Sequence, residues 1–175
     1  MTSRLDRIEA IALDVDGVLT DGSVLWGPNG EEWKRFHFAD VMGMSLARRA
    51  GFAIALISGE DSPLVDRYAE KLRIGHVWKG ISDKAGALRE FAAMAAVPLS
   101  NICFMGDDIN DLPAMSLAGL AACPANAAAE VLTYVSVNQG FSSNRAGGNG
   151  SVRDLIDALL AARGQGALDL FLNTR

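Results

Sequence analysis

Short apolar runs at residues 10–15, 52–57, 102–105 and 120–123 constrain this chain more than any other feature. Each is too short for a buried helix and suits a strand covered on both faces. A fifth short strand is expected at 76–79. Helical segments separate them: 41–50 stopped by Gly51, 62–72 opened by Ser62-Pro63, 83–96, 111–117 and an Ala-rich stretch at 126–132. Strand–helix units in series predict an α/β fold, a Rossmann-like parallel sheet with helices on both faces. The 175 residues match one domain over 1–175, without linker, repeat or low-complexity tract.

Between the first strand and the first helix there is room for a small β-hairpin flap at about 22–38, turned by Asn29-Gly30, and not for a cap domain. Residues 140–150 read as a Gly-rich loop. After it Ser151 is expected to cap a helix with Asp154 three residues on, and Val152, Leu155, Ile156, Leu159 and Leu160 form its apolar face. The tail at 164–175 carries Leu168, Leu170, Phe171 and Leu172, unusually apolar for a loose end.

Charge and composition exclude several classes. The chain has 16 Lys and Arg against 21 Asp and Glu, a net −5, so a basic nucleic-acid surface is not expected. No apolar run approaches a membrane span. The opening Met-Thr-Ser-Arg-Leu-Asp-Arg lacks the apolar core of a signal peptide. Cys103 and Cys123 lie in apolar surroundings and read as buried reduced thiols. A cytoplasmic enzyme fits these features, as does a small-molecule binding module.

In parallel sheets ligands bind beyond the carboxyl ends of the strands, so those ends are where chemistry is sought. The first strand ends in Asp14-Val15-Asp16-Gly17 and the fourth in Gly106-Asp107-Asp108-Ile109-Asn110-Asp111. Turn capping by Asp16, or a helix start at Asp107 and Asp108, accounts for one or two of these acids. Carboxylates facing each other from adjacent strands repel unless a hard cation lies between them, and oxygen ligands point to Mg²⁺. Ser58-Gly59 at the second strand's end offers a hydroxyl and accessible amides, in the manner of an anion site or of a plain turn. Lys84 opens a helix between these sites, as a phosphate ligand or as a surface charge. Together the four suit attack by a carboxylate on phosphorus, with a neighbouring acid as proton donor.

The ordered series Asp-x-Asp-Gly-Val-Leu, Ser-Gly, Lys and Gly-Asp-Asp-x-x-Asp resembles the haloacid dehalogenase superfamily of phosphatases. The resemblance implies Asp14 as nucleophile and Asp16 as general acid/base. It implies Mg²⁺ held by Asp14, Asp107 and the backbone carbonyl of Asp16, with Asp108 and Asp111 behind them and Asp111 orienting Lys84. Ser58, Gly59 and Lys84 would bind the phosphate. Asp14–Gly22 with its hairpin, residues 38–43 and residues 145–153 are more closely similar to the 3-deoxy-D-manno-octulosonate 8-phosphate phosphatases and their sialic-acid relatives. Val41 departs from their Asp-Gly-x-Gly segment. That subgroup implies a phosphorylated keto-deoxy sugar acid as substrate and a role in lipopolysaccharide or sialic-acid biosynthesis. It also implies a capless homotetramer whose sites are completed by neighbours, through the hairpins and the apolar tail.

Glu60 stands where the octulosonate enzymes usually carry Arg, and looks more like the nine-carbon enzymes that act on 2-keto-3-deoxynononate 9-phosphate. It equally suits an acid near a helix N-terminus. Arg145 is the candidate for the substrate carboxylate. His37, His76, Trp26 and Trp33 read as structural, and Arg48-Arg49 as a solvated helix face. A phosphotransferase would use the same site but lacks a covering domain here. A catalytically silent interaction module is the remaining alternative, although every charged catalytic position is filled.

Overall fold

A computed structural model describes residues 4–172. Six parallel strands form one sheet: β1 (Ala10–Leu13), β4 (Ala53–Ile57), β5 (His76–Trp78), β6 (Ile102–Met105), β7 (Leu120–Cys123) and β8 (Phe141–Ser142). Their order is β5-β4-β1-β6-β7-β8. The chain builds outward from β1 on one side, then returns to its other side at β6. This puts a topological switch point between the carboxyl ends of β1 and β6. The hairpin pairs β2 (Leu25–Trp26) with β3 (Glu32–Trp33) through a turn in which Gly30 has φ +86°. Among the described residues this hairpin is the only insertion between β1 and the first helix, and no cap domain is present.

Alternating strand residues feed two apolar layers. Ile11, Leu13, Ile54, Leu56, Cys103 and Met105 face one of them. That layer is covered by α1 (Phe38–Arg49), α2 (Pro63–Leu72) and α6 (Ser151–Ala162). Ala10, Ala12, Ala55, Ile57, Ile102 and Phe104 face the other, under α3 (Lys84–Ala95), α4 (Leu112–Met115) and α5 (Ala129–Val137). Small Ala residues on the second face leave room for the buried rings of Phe91 and Phe104. Cys103 and Cys123 are buried free thiols, and burial raises both pKa values. Among the described residues no helix is long and apolar enough to cross a membrane.

Several local expectations need correction. Ser151 does not cap α6: Gly150 is the N-cap, and Ser151 Oγ donates to the Val18 carbonyl. The cap comes from across the core. Buried Asp40 accepts from Gly150 N at 3.1 Å and from Arg153 N at 2.8 Å. Asp154 instead accepts from Ser143 Oγ and Asn144 N. Asp40→Ala is expected to cost about 2–4 kcal/mol, because two bonds to a buried carboxylate are lost and two amides are orphaned. Chemical denaturation checks it.

The helix expected at 126–132 begins later, at Ala129, because Asn126 is engaged by Gly147 N. The loop at 140–150 contains β8, which pairs with β7 and forms the edge of the sheet. The tail is no loose end within the described residues: α7 (Ala167–Leu172) lies on α1, with Ala167 and Leu170 against the core. Arg49 Nη1 donates to the Leu170 and Phe171 carbonyls, and Arg48 Nη1 to Leu72 O. Arg48 is exposed and Arg49 half-buried, so the pair holds helix C-termini from a partly solvated face.

Candidate active site

The cleft opens at the carboxyl ends of β1, β4 and β6, where the switch point places it. It has a volume of about 360 Å³, and its lining includes Asp14, Asp16, Ser58, Glu60, Lys84 and Asp107. Gly59 and Asp108 also line it, and Asp111 lies directly behind. Of the residues singled out from the sequence, Arg145 alone stands apart. Its carbonyl accepts from Ala125 N and its amide donates to Ser143 Oγ. These bonds turn its side chain over Gly150, where an added Cβ would meet Nη1 at 3.0 Å, and not along the cleft.

Asp14 directly follows β1 and is buried. Lys84, the first residue of α3, places Nζ 2.8 Å from Asp14 Oδ1 and 2.6 Å from Asp111 Oδ1. Burial opposes the charge on Lys84, but the two carboxylates outweigh it and raise its pKa. The second oxygen of Asp111 accepts from the amides of Asp107 and Asp108, at 3.0 and 3.3 Å. Asp108 caps the short 3₁₀ turn that follows. Asp111 thus has both oxygens engaged, while Asp14 and Asp107 remain directed into the cleft.

Gly17 makes this approach possible. Its φ is +90°, and an added Cβ would overlap the Asp107 carboxylate. Ser58 is buried at the end of β4, and its Oγ accepts from Glu60 N at 3.1 Å. The helix begins only at Pro63, capped by Ser62. Ser58 and Gly59 therefore offer a loop, not a helix start.

One acidic set fits a cation. Carboxylate oxygens of Asp14, Asp107 and Asp111 lie within 4.8 Å of one another. Burial, then repulsion from Asp111, pushes Asp14 up to about 8 despite Lys84, and Asp107 up to about 6. Lys84 alone is too little positive charge for the three. Hard oxygen donors in this state match a hard divalent ion such as Mg²⁺.

The sign of the pH effect follows. Without cation, the folded protein keeps protons on Asp14 and Asp107 that the unfolded chain, with carboxyls near 3.8, has released. Their contribution to stability is complete below that value and is lost as pH rises through about 6 and then about 8. In chelator the melting temperature should fall across this window, and added Mg²⁺ should flatten the fall. A flat chelator profile would contradict the buried cluster.

Sequence reading missed Lys34, whose Nζ is 2.8 Å from Asp16 Oδ1. It also missed Thr20, whose buried Oγ1 accepts from Gly17 N and Gly22 N. The available signal for Lys34 was its i, i+2 spacing from Glu32, which puts both on one face of the hairpin.

A family model described as haloacid dehalogenase-like hydrolase matches residues 52–147. The chain belongs to this family. The 3-deoxy-D-manno-octulosonate 8-phosphate phosphatase KdsC of Salmonella typhi is 34% identical over 93% of this chain and 85% of its own. The crystal structure of the enzyme of that name from Yersinia pestis aligns with a TM-score of 0.88 and 31% identity, covering 93% of this chain and 85% of that one. The Moraxella catarrhalis enzyme, solved in complex with magnesium ion, phosphate ion and KDO, aligns with a TM-score of 0.87 and 33% identity. That alignment covers 98% of this chain and 95% of the other. The shared hydrolase fold places the cleft of this chain at the switch point where its own acids converge.

Proposed function

We propose that the chain is a Mg²⁺-dependent phosphomonoesterase acting on a phosphorylated 3-deoxy keto sugar acid. The observation that carries this reading is the convergence of Asp14, Asp16, Ser58, Lys84 and Asp107 on one cleft. Asp14 is the nucleophile: a bond forms from its carboxylate oxygen to phosphorus as the bond from phosphorus to the sugar oxygen breaks. Asp16 gives that oxygen a proton, then as carboxylate takes one from the water that attacks phosphorus. Inorganic phosphate departs and the Asp14 carboxylate is regenerated. Ser58, Gly59 and Lys84 hold the phosphoryl oxygens throughout. Asp14, Asp107 and the Asp16 carbonyl would hold the Mg²⁺, with Asp108 and Asp111 behind them. When bound, the ion offsets repulsion between carboxylates and phosphate.

The named relatives favour 3-deoxy-D-manno-octulosonate 8-phosphate as substrate. Glu60 favours a second reading, a nine-carbon 9-phosphate. It is exposed on the cleft wall, where it would accept hydrogen bonds from hydroxyls and repel a substrate carboxylate. Phosphate release from the two compounds, compared as kcat/KM with Mg²⁺ present, separates the readings. Release from neither would overturn both.

The enzyme is further proposed to be a cytoplasmic homotetramer. Leu25, Trp26 and Trp33 on the hairpin are 66%, 79% and 52% exposed, an apolar surface suited to association. Sedimentation of the intact chain tests this, and a monomer at assay concentration would remove it.

A further inference from the structure

The hairpin stem is mostly solvent-facing, yet it buries one charged side chain. Lys34 follows β3, and its side chain is 1% exposed. Its Nζ lies 2.8 Å from Asp16 Oδ1 and 2.9 Å from Oδ2. An ammonium is withdrawn from water at a cost of several kcal/mol unless it is paired, and here the pairing partner is a cleft residue. Asp16 lines the cleft with Asp14 and Asp107 but is not among the three acids, Asp14, Asp107 and Asp111, whose oxygens lie within 4.8 Å of one another. Its other side-chain contact is a long one, 3.4 Å from Thr20 Oγ1. Lys34 is itself steadied by Glu32, 3.7 Å away, and Glu32 accepts from Ser62 Oγ at 2.7 Å. A chain of polar contacts therefore runs from the cap of α2 through the hairpin to Asp16.

We propose that Lys34 is a positioning residue that fixes the Asp16 carboxyl for proton transfer to the departing alcohol. This inference rests on the reading of Asp16 as the general acid/base. The ammonium reaches both oxygens, so one can turn to the substrate while the other stays held. Without Lys34 the Asp16 side chain, 23% exposed, is free to rotate toward water. A displacement of that kind is costly in rate even when binding survives.

The experiment compares kcat/KM, which reports the steps through departure of the alcohol, on two substrates. One is a primary sugar phosphate turned over by the wild type, whose alkoxide needs a proton. The other is p-nitrophenyl phosphate, whose leaving phenolate does not. Lys34→Met should lose about 10- to 100-fold on the sugar phosphate and less than about threefold on the aryl ester. Lys34→Arg should recover part of the loss. Asp16→Asn should show the same selectivity more strongly, and Lys34→Met added to Asp16→Asn should cost nothing further.

Equal losses on both substrates, as a detached hairpin would give, overturn the inference. Additive losses in the double variant also overturn it, because Lys34 would then be a direct substrate contact. If Asp16→Asn itself shows no selectivity, the acid/base reading of Asp16 fails and the role of Lys34 falls with it. If Asp16→Asn is selective and Lys34→Met is not, only the role of Lys34 fails.

Discussion

Asp14→Asn should reduce phosphate release by roughly 10⁴-fold or more, the scale seen when a covalent nucleophile is removed. An amide keeps the shape of the carboxyl but cannot form the phosphoryl ester. The same change should raise the melting temperature of the cation-free protein. It replaces a carboxyl that burial and Asp111 make costly to ionise with a neutral group. Loss of activity with a gain in stability separates a removed nucleophile from a damaged fold. A variant that is inactive and also less stable in chelator would contradict the electrostatic picture of the site. Wild-type turnover would contradict the assignment of Asp14.

Lys84→Met should have the next largest effect, and it acts on both properties. Lys84 is the cation bridging Asp14 and Asp111, at 2.8 and 2.6 Å, with its side chain 2% exposed. Its removal leaves two buried carboxylates without their partner, at a cost of about 3–5 kcal/mol in the cation-free protein. Part of this returns below pH 6, where protonation of Asp14 and Asp107 relieves the repulsion. Activity should fall by roughly 10²–10³-fold, because a preorganised charge on the phosphoryl oxygens is lost. Added Mg²⁺ should stabilise this variant more than the wild type. Denaturant midpoints with and without Mg²⁺, at two pH values, test these statements. Equal midpoints for variant and wild type in chelator would show that Lys84 is not the compensating charge.

Much of the site was legible because its signals are local. Asp14, Ser58 and Asp107 each follow a short apolar run, and a parallel strand delivers its next residues to one edge of the sheet. Lys84 was legible as a helix-opening residue, since α3 begins with it. What the sequence hid depends on partners far along the chain. The cap of α6 is Asp40, more than a hundred residues away, while the local pattern pointed to Ser151. Lys34 meets Asp16 only because the hairpin folds back over the β1 loop, which no periodicity encodes. Arg145 looked available for the cleft by its Gly-rich setting, but Ser143 and Ala125 fix the backbone that points it elsewhere. Of the tail's leucines, unexplained as a loose end, Leu170 packs against the core where α7 lies on α1, while Leu168 and Leu172 stay exposed.

The central claim is covalent chemistry at Asp14, and one measurement addresses it directly. Asp16→Asn is mixed with Mg²⁺ and an aryl phosphate, quenched in acid within the first turnover, digested and examined by mass spectrometry. Loss of the base slows water attack while the aryl group leaves without a proton, so a phosphoryl adduct should accumulate on the peptide containing Asp14. Release of the phenol with no adduct on that peptide would contradict the mechanism.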